Sequence, residues 1–321
     1  MYKICILDRI DITEKQKHRL IQLAGAESEI KFFNSLPNPS DTDEILSRIG
    51  DASIILTSWT DFPSQVIEKL PSTVKLLSVV ATSYAWVDVE AARKCGIAVS
   101  NAPGYAMYSV SELVFAFILD WTRKVRHADA LMRSGKYDRS TFLGMELFGK
   151  TMGIVGLGSI GSRVATIAKA IGMNVQAATL HPENKHAKSI GITLMDIDSL
   201  FSSSDFISIH VPLNETTRGL IGKKQFEIVK KGAFFVYTSR PGVCDEKALL
   251  WALETGKLGG AGLDETSETF RSPNGELLKM ANVCLSPEIG FFTSEALERL
   301  TEISIDNVEF FIKGEAVNIV S

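Results

Sequence analysis

The segment 153–161, which reads GIVGLGSIG, restricts the fold of this chain more than any other part of it. It follows an apolar run typical of a strand and leads into a helical pattern over 163–170. Its glycines Gly156, Gly158 and Gly161 match G-x-G-x-x-G. Such glycines allow a tight turn, a close approach of a pyrophosphate to the backbone, and close packing of helix on strand. The helix N-terminus also attracts phosphates, so the segment predicts an α/β unit that binds a dinucleotide.

Short apolar runs alternate with amphipathic segments along the whole chain, which is typical of βαβ units and parallel sheets. At 321 residues and 45% apolar content, the chain is long enough for two domains with their own cores. We therefore expect an α/β fold in two tandem units. The predicted strands are 3–7, 53–57, 75–81 and 98–100 in the first unit, and 151–155, 174–178, 206–210, 233–238, 260–263 and 283–286 in the second.

Three other segments have patterns of their own. Residues 109–112, Ser-Val-Ser-Glu, fit a capping box, so a helix should begin there. Residues 134–150 are rich in glycine and charge and predict an exposed arm or loop. Residues 294–313 carry apolar side chains near helical spacing and predict an amphipathic helix.

Charge and cysteine usage narrow the possible partners. Lysine and arginine number 34 against 38 acidic residues, which provides no broad basic surface for nucleic acid and no polybasic patch for a membrane. The longest apolar runs are far too short to span a bilayer, and charge appears too early for a signal-peptide core. The four cysteines are scattered without a CxxC pair, so we predict no metal site, no disulfide framework and a cytoplasmic location.

The second strand of the dinucleotide unit bears on the choice of cofactor. An acidic residue usually ends this strand and holds the ribose hydroxyls of NAD. Here the strand 174–178 runs into Thr179 and His181, with no acid at its tip. Nearby Lys185 and Lys188 would attract a 2′-phosphate, or they are ordinary solvated loop residues. The cofactor is therefore expected to be NAD or NADP.

Several segments together resemble the D-isomer-specific 2-hydroxyacid dehydrogenase family. They are residues 87–92, 96–104, 153–161, 210–221, 238–249, 261–264 and 282–287, in the family's order and spacing over nearly the whole chain. The resemblance implies two Rossmann-like, doubly wound parallel-sheet domains with a cleft between them. Residues 1–100 plus 292–321 would form the substrate domain, and residues 101–291 the dinucleotide-binding domain. It also implies a homodimer built through the arm after Asn101.

In that family a hydride moves between a nicotinamide and C2 of a 2-hydroxy or 2-oxo acid, a small-molecule substrate. Arg240 stands at the position of the arginine that grips the substrate, and its planar fork suits a carboxylate. Ser83 and Tyr84 match the loop that holds the substrate carboxylate. The residues assigned to the cofactor are Gly156, Gly158, Ser159, Ile160, Gly161, Thr179, His181, His210, Val211, Pro212, Thr217, Thr238, Ser239, Asp264 and Gly290.

One position departs from the family pattern and matters most for chemistry. The family's acid/base is a histidine after a proline near the C-terminus, and here Glu288 follows Pro287. The carboxylate that orients this histidine would fall at Thr269, with Glu268 adjacent, and the sequence leaves open which of the two faces the site. We assign Glu268 to the catalytic set together with Arg240 and Glu288.

Reducing a ketone creates an alkoxide, which needs a proton donor within hydrogen-bond reach. The pKa of an ordinary glutamate is about 4.3 against about 6.5 for histidine, so Glu288 would need its pKa raised by roughly two units. Burial would raise it, and Arg240 nearby would lower it. Tyr84 is an alternative donor, or it has an apolar contact role.

Three hypotheses remain open from the sequence. In the first, the chain is an NAD(P)-dependent oxidoreductase in which Glu288 replaces the histidine as acid/base. In the second, it binds dinucleotide but has lost dehydrogenase activity and serves as a sensor or interaction module. In the third, its chemistry is altered, and Glu288 binds a cationic or hydroxyl-rich group of a non-standard substrate.

Overall fold

The computed structural model describes residues 2–25, 30–39, 41–180, 189, 191–264, 267 and 275–321. Its internal contacts divide the chain into two compact units, Met1–Tyr105 with Thr293–Ser321, and Ala106–Phe292. The dinucleotide domain is expected over residues 101–291. The second unit begins a few residues later, at Ala106, and ends one residue later, at Phe292.

The first unit is built on a five-stranded sheet in which every neighbouring pair is parallel. Its strands are β1 (Ile4–Ile6), β2 (Ile30–Phe32), β3 (Ile54–Thr57), β4 (Leu76–Val79) and β5 (Ala98–Ser100). Their order is β2-β1-β3-β4-β5. Four of these five strands are almost wholly apolar and buried, as a sheet covered on both faces requires.

Helices cover the first sheet, and four of the five begin at a side-chain cap. They are α1 (Glu14–Ala24), α2 (Thr42–Ile49), α3 (Ser64–Ile67), α4 (Val89–Lys94) and the C-terminal helix (Ser294–Ile312). Thr13 and Gln16 form a capping box on α1, and the Asp41 carboxylate accepts the Glu44 amide at the start of α2. The C-terminal helix packs its apolar stripe on this sheet, as its periodicity predicts.

The second unit is built on a seven-stranded sheet that is also parallel throughout. Its strands are β6 (Thr151–Val155), β7 (Asn174–Ala178), β8 (Thr193–Leu194), β9 (Phe206–Ile209), β10 (Ala233–Tyr237), β11 (Leu258–Leu263) and β12 (Val283–Leu285). The order β12-β11-β10-β9-β6-β7-β8 reverses direction between β9 and β6. This point is the topological switch at which open α/β sheets bind ligands. Two doubly wound parallel-sheet units confirm the predicted fold class.

The helices of the second unit correct one prediction, the helix start at 109–112. They are α5 (Met107–Arg123), α6 (Val125–Arg133), α7 (Ser159–Ala170), α8 (Ile197–Ser203), α9 (Lys223–Ile228) and α10 (Glu246–Glu254), followed by a 3-10 turn at Glu276–Lys279. The capping box predicted at 109–112 is wrong, because α5 already begins at Met107 and the Ser109 hydroxyl donates to the Ala106 carbonyl. Residues 134–150, all described, contain neither helix nor strand.

Within the described ranges, none of the helices is both long and apolar enough to cross a membrane. The described residues also contain no cluster of His, Cys, Asp and Glu suited to a metal ion. The cytoplasmic location stays a prediction.

Candidate dinucleotide and substrate site

The turn after β6 can be made only by the glycines that the sequence places there. Gly156 has a φ of +95°, and a Cβ on it would lie 2.7 Å from the His210 carbonyl oxygen. A Cβ on Gly161 would lie 2.0 Å from the Gly156 carbonyl oxygen. Any side chain at either position would therefore displace backbone, so both glycines are needed to bring α7 against β6.

Gly158 has a different role from the other two glycines. It caps α7 with no side-chain hydrogen bond to the helix amides, and no described atom lies within 4 Å of where its Cβ would be. The amides of Ser159 and Ile160 begin the helix beside this space. Open space at a helix N-terminus is the arrangement that accepts a pyrophosphate, so the turn fits a dinucleotide.

The loop after β9 forms the adjacent wall of the turn. His210 donates its amide to the Val155 carbonyl at 2.7 Å, and its Nε2 lies 2.8 Å from the Ser208 hydroxyl. Burial of the imidazole lowers the pKa of His210 to about 3, although the residue as a whole is partly exposed to solvent. The ring is therefore neutral at physiological pH. Downstream, the Thr217 hydroxyl donates to the Pro212 carbonyl and fixes the loop that begins at Val211.

The strand end after β10 brings two more predicted cofactor residues to the same sheet edge. Ser239 donates its hydroxyl to the Ile209 carbonyl at 2.9 Å, which ties this loop to the end of β9. The Thr238 hydroxyl is buried and has no hydrogen-bond partner among the described residues. A buried hydroxyl is costly without a partner, and a bound ligand would supply one.

Asp264 organises the turn 286–290 that follows β12. Its side-chain oxygens accept the amides of Ile289 and Gly290 at 2.9 and 2.8 Å, and the Ser286 hydroxyl in a short bond. Its carbonyl accepts the Glu288 amide at 2.9 Å. A Cβ on Gly290 would lie 2.7 Å from the Asp264 carboxylate, so this glycine permits the bonding. The carboxylate therefore has a structural role in holding the turn, which sequence reasoning did not identify.

Glu288 and Arg240 come together at this turn. Glu288 has a φ of +56°, in the left-handed region, and Arg240 follows β10. The Arg240 Nη1 atom lies 3.9 Å from Glu288 Oε2, and the side chains are 55% and 39% exposed. The separation exceeds that of a direct hydrogen bond, so the two charges attract each other while both stay accessible.

The remaining predicted residues lie after β7, in the first unit, or outside the described residues. Thr179 follows β7 and is half-buried. Ser83 and Tyr84 follow β4 in the first unit, where Tyr84 packs against the apolar core, which favours the apolar contact role over a proton donor. The residues outside the described ranges are His181, Lys185, Lys188, Glu268 and Thr269.

Comparison with known proteins identifies the family. Residues 115–290, more than half of the chain, match the family described as D-isomer specific 2-hydroxyacid dehydrogenase, NAD binding domain. This chain belongs to the D-isomer-specific 2-hydroxyacid dehydrogenase family. The hydroxypyruvate reductase of Blautia hydrogenotrophica is 35% identical over 88% of this chain and 89% of its own. The glyoxylate reductase of Thermococcus litoralis is 36% identical over 96% and 94%.

A solved structure extends the likeness to the whole fold of this dehydrogenase. An acyclic imino acid reductase, Bsp5, in complex with NADPH and D-Arg, superposes with a TM-score of 0.88 at 30% identity, over 99% of this chain and all of the other. The family and these relatives show an NAD(P)-dependent oxidoreductase of the 2-hydroxyacid dehydrogenase type. The predicted cofactor, NAD or NADP, is confirmed at this level.

Proposed function

We propose that this dehydrogenase uses Arg240 to bind the carboxylate of a small 2-substituted acid and Glu288 to face the heteroatom on C2. The observation that carries the proposal is the 3.9 Å separation between the guanidinium and carboxylate groups. A carboxylate and its neighbouring C2 substituent are close enough to meet both side chains. When bound, the nicotinamide exchanges a hydride with C2.

On a 2-oxo acid, the chain must also supply a proton to the C2 oxygen as the hydride arrives. We assign this step to Glu288, which would donate from its carboxyl group in the reduction and accept in the reverse direction. Arg240 holds the substrate carboxylate through its fork, which fixes C2 in one orientation. Ser83 and Tyr84 stay predictions for substrate binding, and Glu268 stays a prediction for the catalytic set.

Steady-state kinetics on a panel of 2-oxo acids tests these roles. We expect Arg240→Ala to lower kcat/KM by roughly a thousandfold, because the charged carboxylate contact is lost from ground and transition states. Glu288→Gln should lower kcat on oxo acids with little change in cofactor affinity. Arg139→Ala and Glu254→Gln change exposed residues of the same types and should have no effect. Tight dinucleotide binding without turnover on any acid, unchanged in both site variants, would favour a sensor instead.

We further propose that this enzyme binds NADP at least as tightly as NAD. The end of β7 lacks the acid that would repel a 2′-phosphate, and Thr179 stands there instead. The NADPH complex of the similar reductase supports this choice. A fluorescence titration of both cofactors measures it, and a hundredfold preference for NAD would contradict the proposal.

We also propose a homodimer built through the arm after Asn101, as in the family. Large apolar side chains are strongly exposed along this arm: Val125, Met132, Tyr137, Leu143 and Phe148. Exposed apolar surface of this kind marks an interface. Light scattering should give twice the chain mass for the wild type and a smaller mass for Leu143→Glu; a wild-type monomer at micromolar concentration would refute the dimer.

The relatives leave open whether the C2 heteroatom is oxygen or nitrogen. Two of them are named for the reduction of oxo acids and one for the reduction of imino acids.

A further inference from the structure

The site presents a positive and a negative group side by side. Both the Arg240 guanidinium and the Glu288 carboxylate are substantially exposed, and Nη1 lies 3.9 Å from Oε2, so one small ligand can contact both groups from the exposed side. A 2-oxo acid matches only half of this pair, because its C2 oxygen carries partial negative charge and grows more negative as the ketone is reduced. A carboxylate facing that oxygen is repulsive, so on a 2-oxo acid Glu288 must carry a proton before it can act as the donor.

A protonated 2-imino acid matches both halves of the pair. Its carboxylate carries negative charge, and its C2 nitrogen carries positive charge and N–H donors one carbon away. We propose that Glu288 makes this dehydrogenase a reductase of protonated 2-imino acids, with the Glu288 carboxylate accepting a hydrogen bond from the iminium nitrogen. The inference rests on the proposed function of Arg240, and it names the substrate class of the same site.

Reducing the C=N bond of an imino acid also requires less from the protein than reducing the C=O bond of an oxo acid. C2 of the iminium gains a hydride from the reduced dinucleotide, and the π electron pair of the C=N bond becomes the lone pair of an amine. The product amine is neutral and takes its last proton from solvent. The reaction therefore requires no proton donor at C2, whereas the ketone requires one as its alkoxide forms. With an iminium, the Glu288 carboxylate serves as a counter-ion and does not have to give up a proton.

The backbone of the turn holds Glu288 where this role requires it. Three amides of the turn and the Ser286 hydroxyl bind Asp264, so Glu288 is fixed on both sides along the chain. Asp264 is 5% exposed, which keeps these bonds out of competition with water. The backbone that carries Glu288 is thus set before substrate binds, and a preorganised support favours electrostatic stabilisation.

Paired substrates test the inference directly. Glyoxylate, pyruvate and phenylpyruvate are each incubated with NADPH at the same alkaline pH, with and without methylamine, and products are identified by mass spectrometry. We expect N-methylamino acids to form at least about tenfold faster than the 2-hydroxy acids. Glu288→Gln should slow amine formation by roughly tenfold to a hundredfold, as for loss of one charge-assisted hydrogen bond. Glu288→His should speed hydroxy-acid formation by at least about tenfold, and the exposed control Glu254→Gln should change neither rate.

Binding provides a second readout that does not depend on turnover. Calorimetric titration of the enzyme with NADP⁺ present compares alanine with lactate. We expect alanine to bind more tightly to the wild type, and Glu288→Gln to weaken alanine binding without weakening lactate binding. Faster lactate formation and tighter lactate binding by the wild type would overturn this inference and leave the proposed function intact. If neither alanine nor lactate binds and Arg240→Ala changes nothing, both proposals fail.

Discussion

The two sheets are both doubly wound, but the space at their switch points differs. In the second sheet, the crevice between β6 and β9 is open beside Gly158, and α7 begins without a side-chain cap among the described residues. In the first sheet, the equivalent position lies between β1 and β3, and the buried side chain of Asp8 fills it.

Asp8 binds the loop after β3 much as a bound anion would. Its carboxylate accepts the amides of Ser58, Trp59 and Thr60 at 2.8 to 3.1 Å. It also accepts the hydroxyls of Thr57 and Thr60, each at 2.7 Å. A cluster of backbone donors that would otherwise attract an external anion is therefore satisfied by the chain itself.

The helices that follow the two first strands show the same contrast. The N-terminus of α1 is closed by the Thr13 and Gln16 side chains, whereas α7 begins at a glycine. The comparison shows that a doubly wound sheet does not by itself make a nucleotide site. What distinguishes the two units is whether the amides near the switch point are left for a ligand.

The largest predicted effect follows from filling the open crevice. Gly158→Glu should weaken dinucleotide binding by at least about a hundredfold, because its carboxylate would occupy the space of the pyrophosphate and repel it. The fold should persist, since φ at Gly158 is −75° and the site of its Cβ is unobstructed by described atoms. Cofactor fluorescence and circular dichroism measure the two quantities.

Two further substitutions serve as controls for that experiment. The same change at Gly222, whose Cβ would lie 3.9 Å from the nearest described atom, should leave dinucleotide affinity unchanged. Gly156→Ala should destabilise the fold itself, because it forces a Cβ against the His210 carbonyl in a left-handed conformation. Normal affinity in Gly158→Glu would show that the turn is not the binding site.

The second prediction concerns Asp8, whose side chain fills the switch point of the first sheet. Asp8→Ala should lower the free energy of unfolding of the first unit by about 3 kcal/mol, because buried amides and hydroxyls lose their acceptor. Hydrogen exchange should accelerate at the amides of residues 58–60, while the dinucleotide affinity of the folded protein stays the same. The exposed Asp61→Ala is the matched control, and equal exchange rates in both variants would refute the role of Asp8.

The third prediction concerns acid stability at the wall of the open crevice. The pKa of His210 is about 3 in the folded chain against about 6.5 in the unfolded chain, so the unfolded state binds the proton more readily. Stability from this group is complete above about pH 6.5 and falls by about 1.4 kcal/mol per unit as pH decreases toward 3. Urea unfolding at pH 7 and 5 should show a steeper loss for the wild type than for His210→Gln. An equal loss of unfolding free energy in the two proteins would contradict the assignment of this pH dependence to His210.

The smallest predicted effect tests the closed helix end. Thr13→Ala should cost about 1 kcal/mol of unfolding free energy, since the Gln16 amide loses the acceptor that caps α1. Thr13→Ser keeps the hydroxyl and should restore most of the loss. If chemical denaturation shows the alanine variant to be as stable as the wild type, side-chain capping does not account for the difference between α1 and α7.

Much of the fold could be predicted because its signals are local. The segment 153–161 predicts the turn at the first strand of the second unit, and the apolar runs predict most strands to within a few residues. The helix start predicted at 109–112 is wrong because α5 begins at Met107 without a side-chain cap, and Ser109 and Ser111 are buried within the helix. The short strand β8 has too few residues to produce a periodic signal.

The parts of the site that escaped prediction depend on contacts between distant residues. Asp8 lies about fifty positions from the loop it binds, and nothing near it in sequence identifies its partners. Asp264 is assigned to the cofactor by resemblance, yet the structure shows its oxygens bonded to the turn 286–290. Arg240 and Glu288 are both identified from sequence and expected near each other, and the structure adds their 3.9 Å separation.

The bonds that hold the turn around Asp264 come from backbone amides and one serine, and none comes from the side chain at 288. Residue 288 can therefore be exchanged without rebuilding its support. Its left-handed backbone tolerates polar residues, histidine among them, at little strain. We therefore expect a single amino-acid replacement on this support to alter which bond the enzyme reduces, without a new architecture.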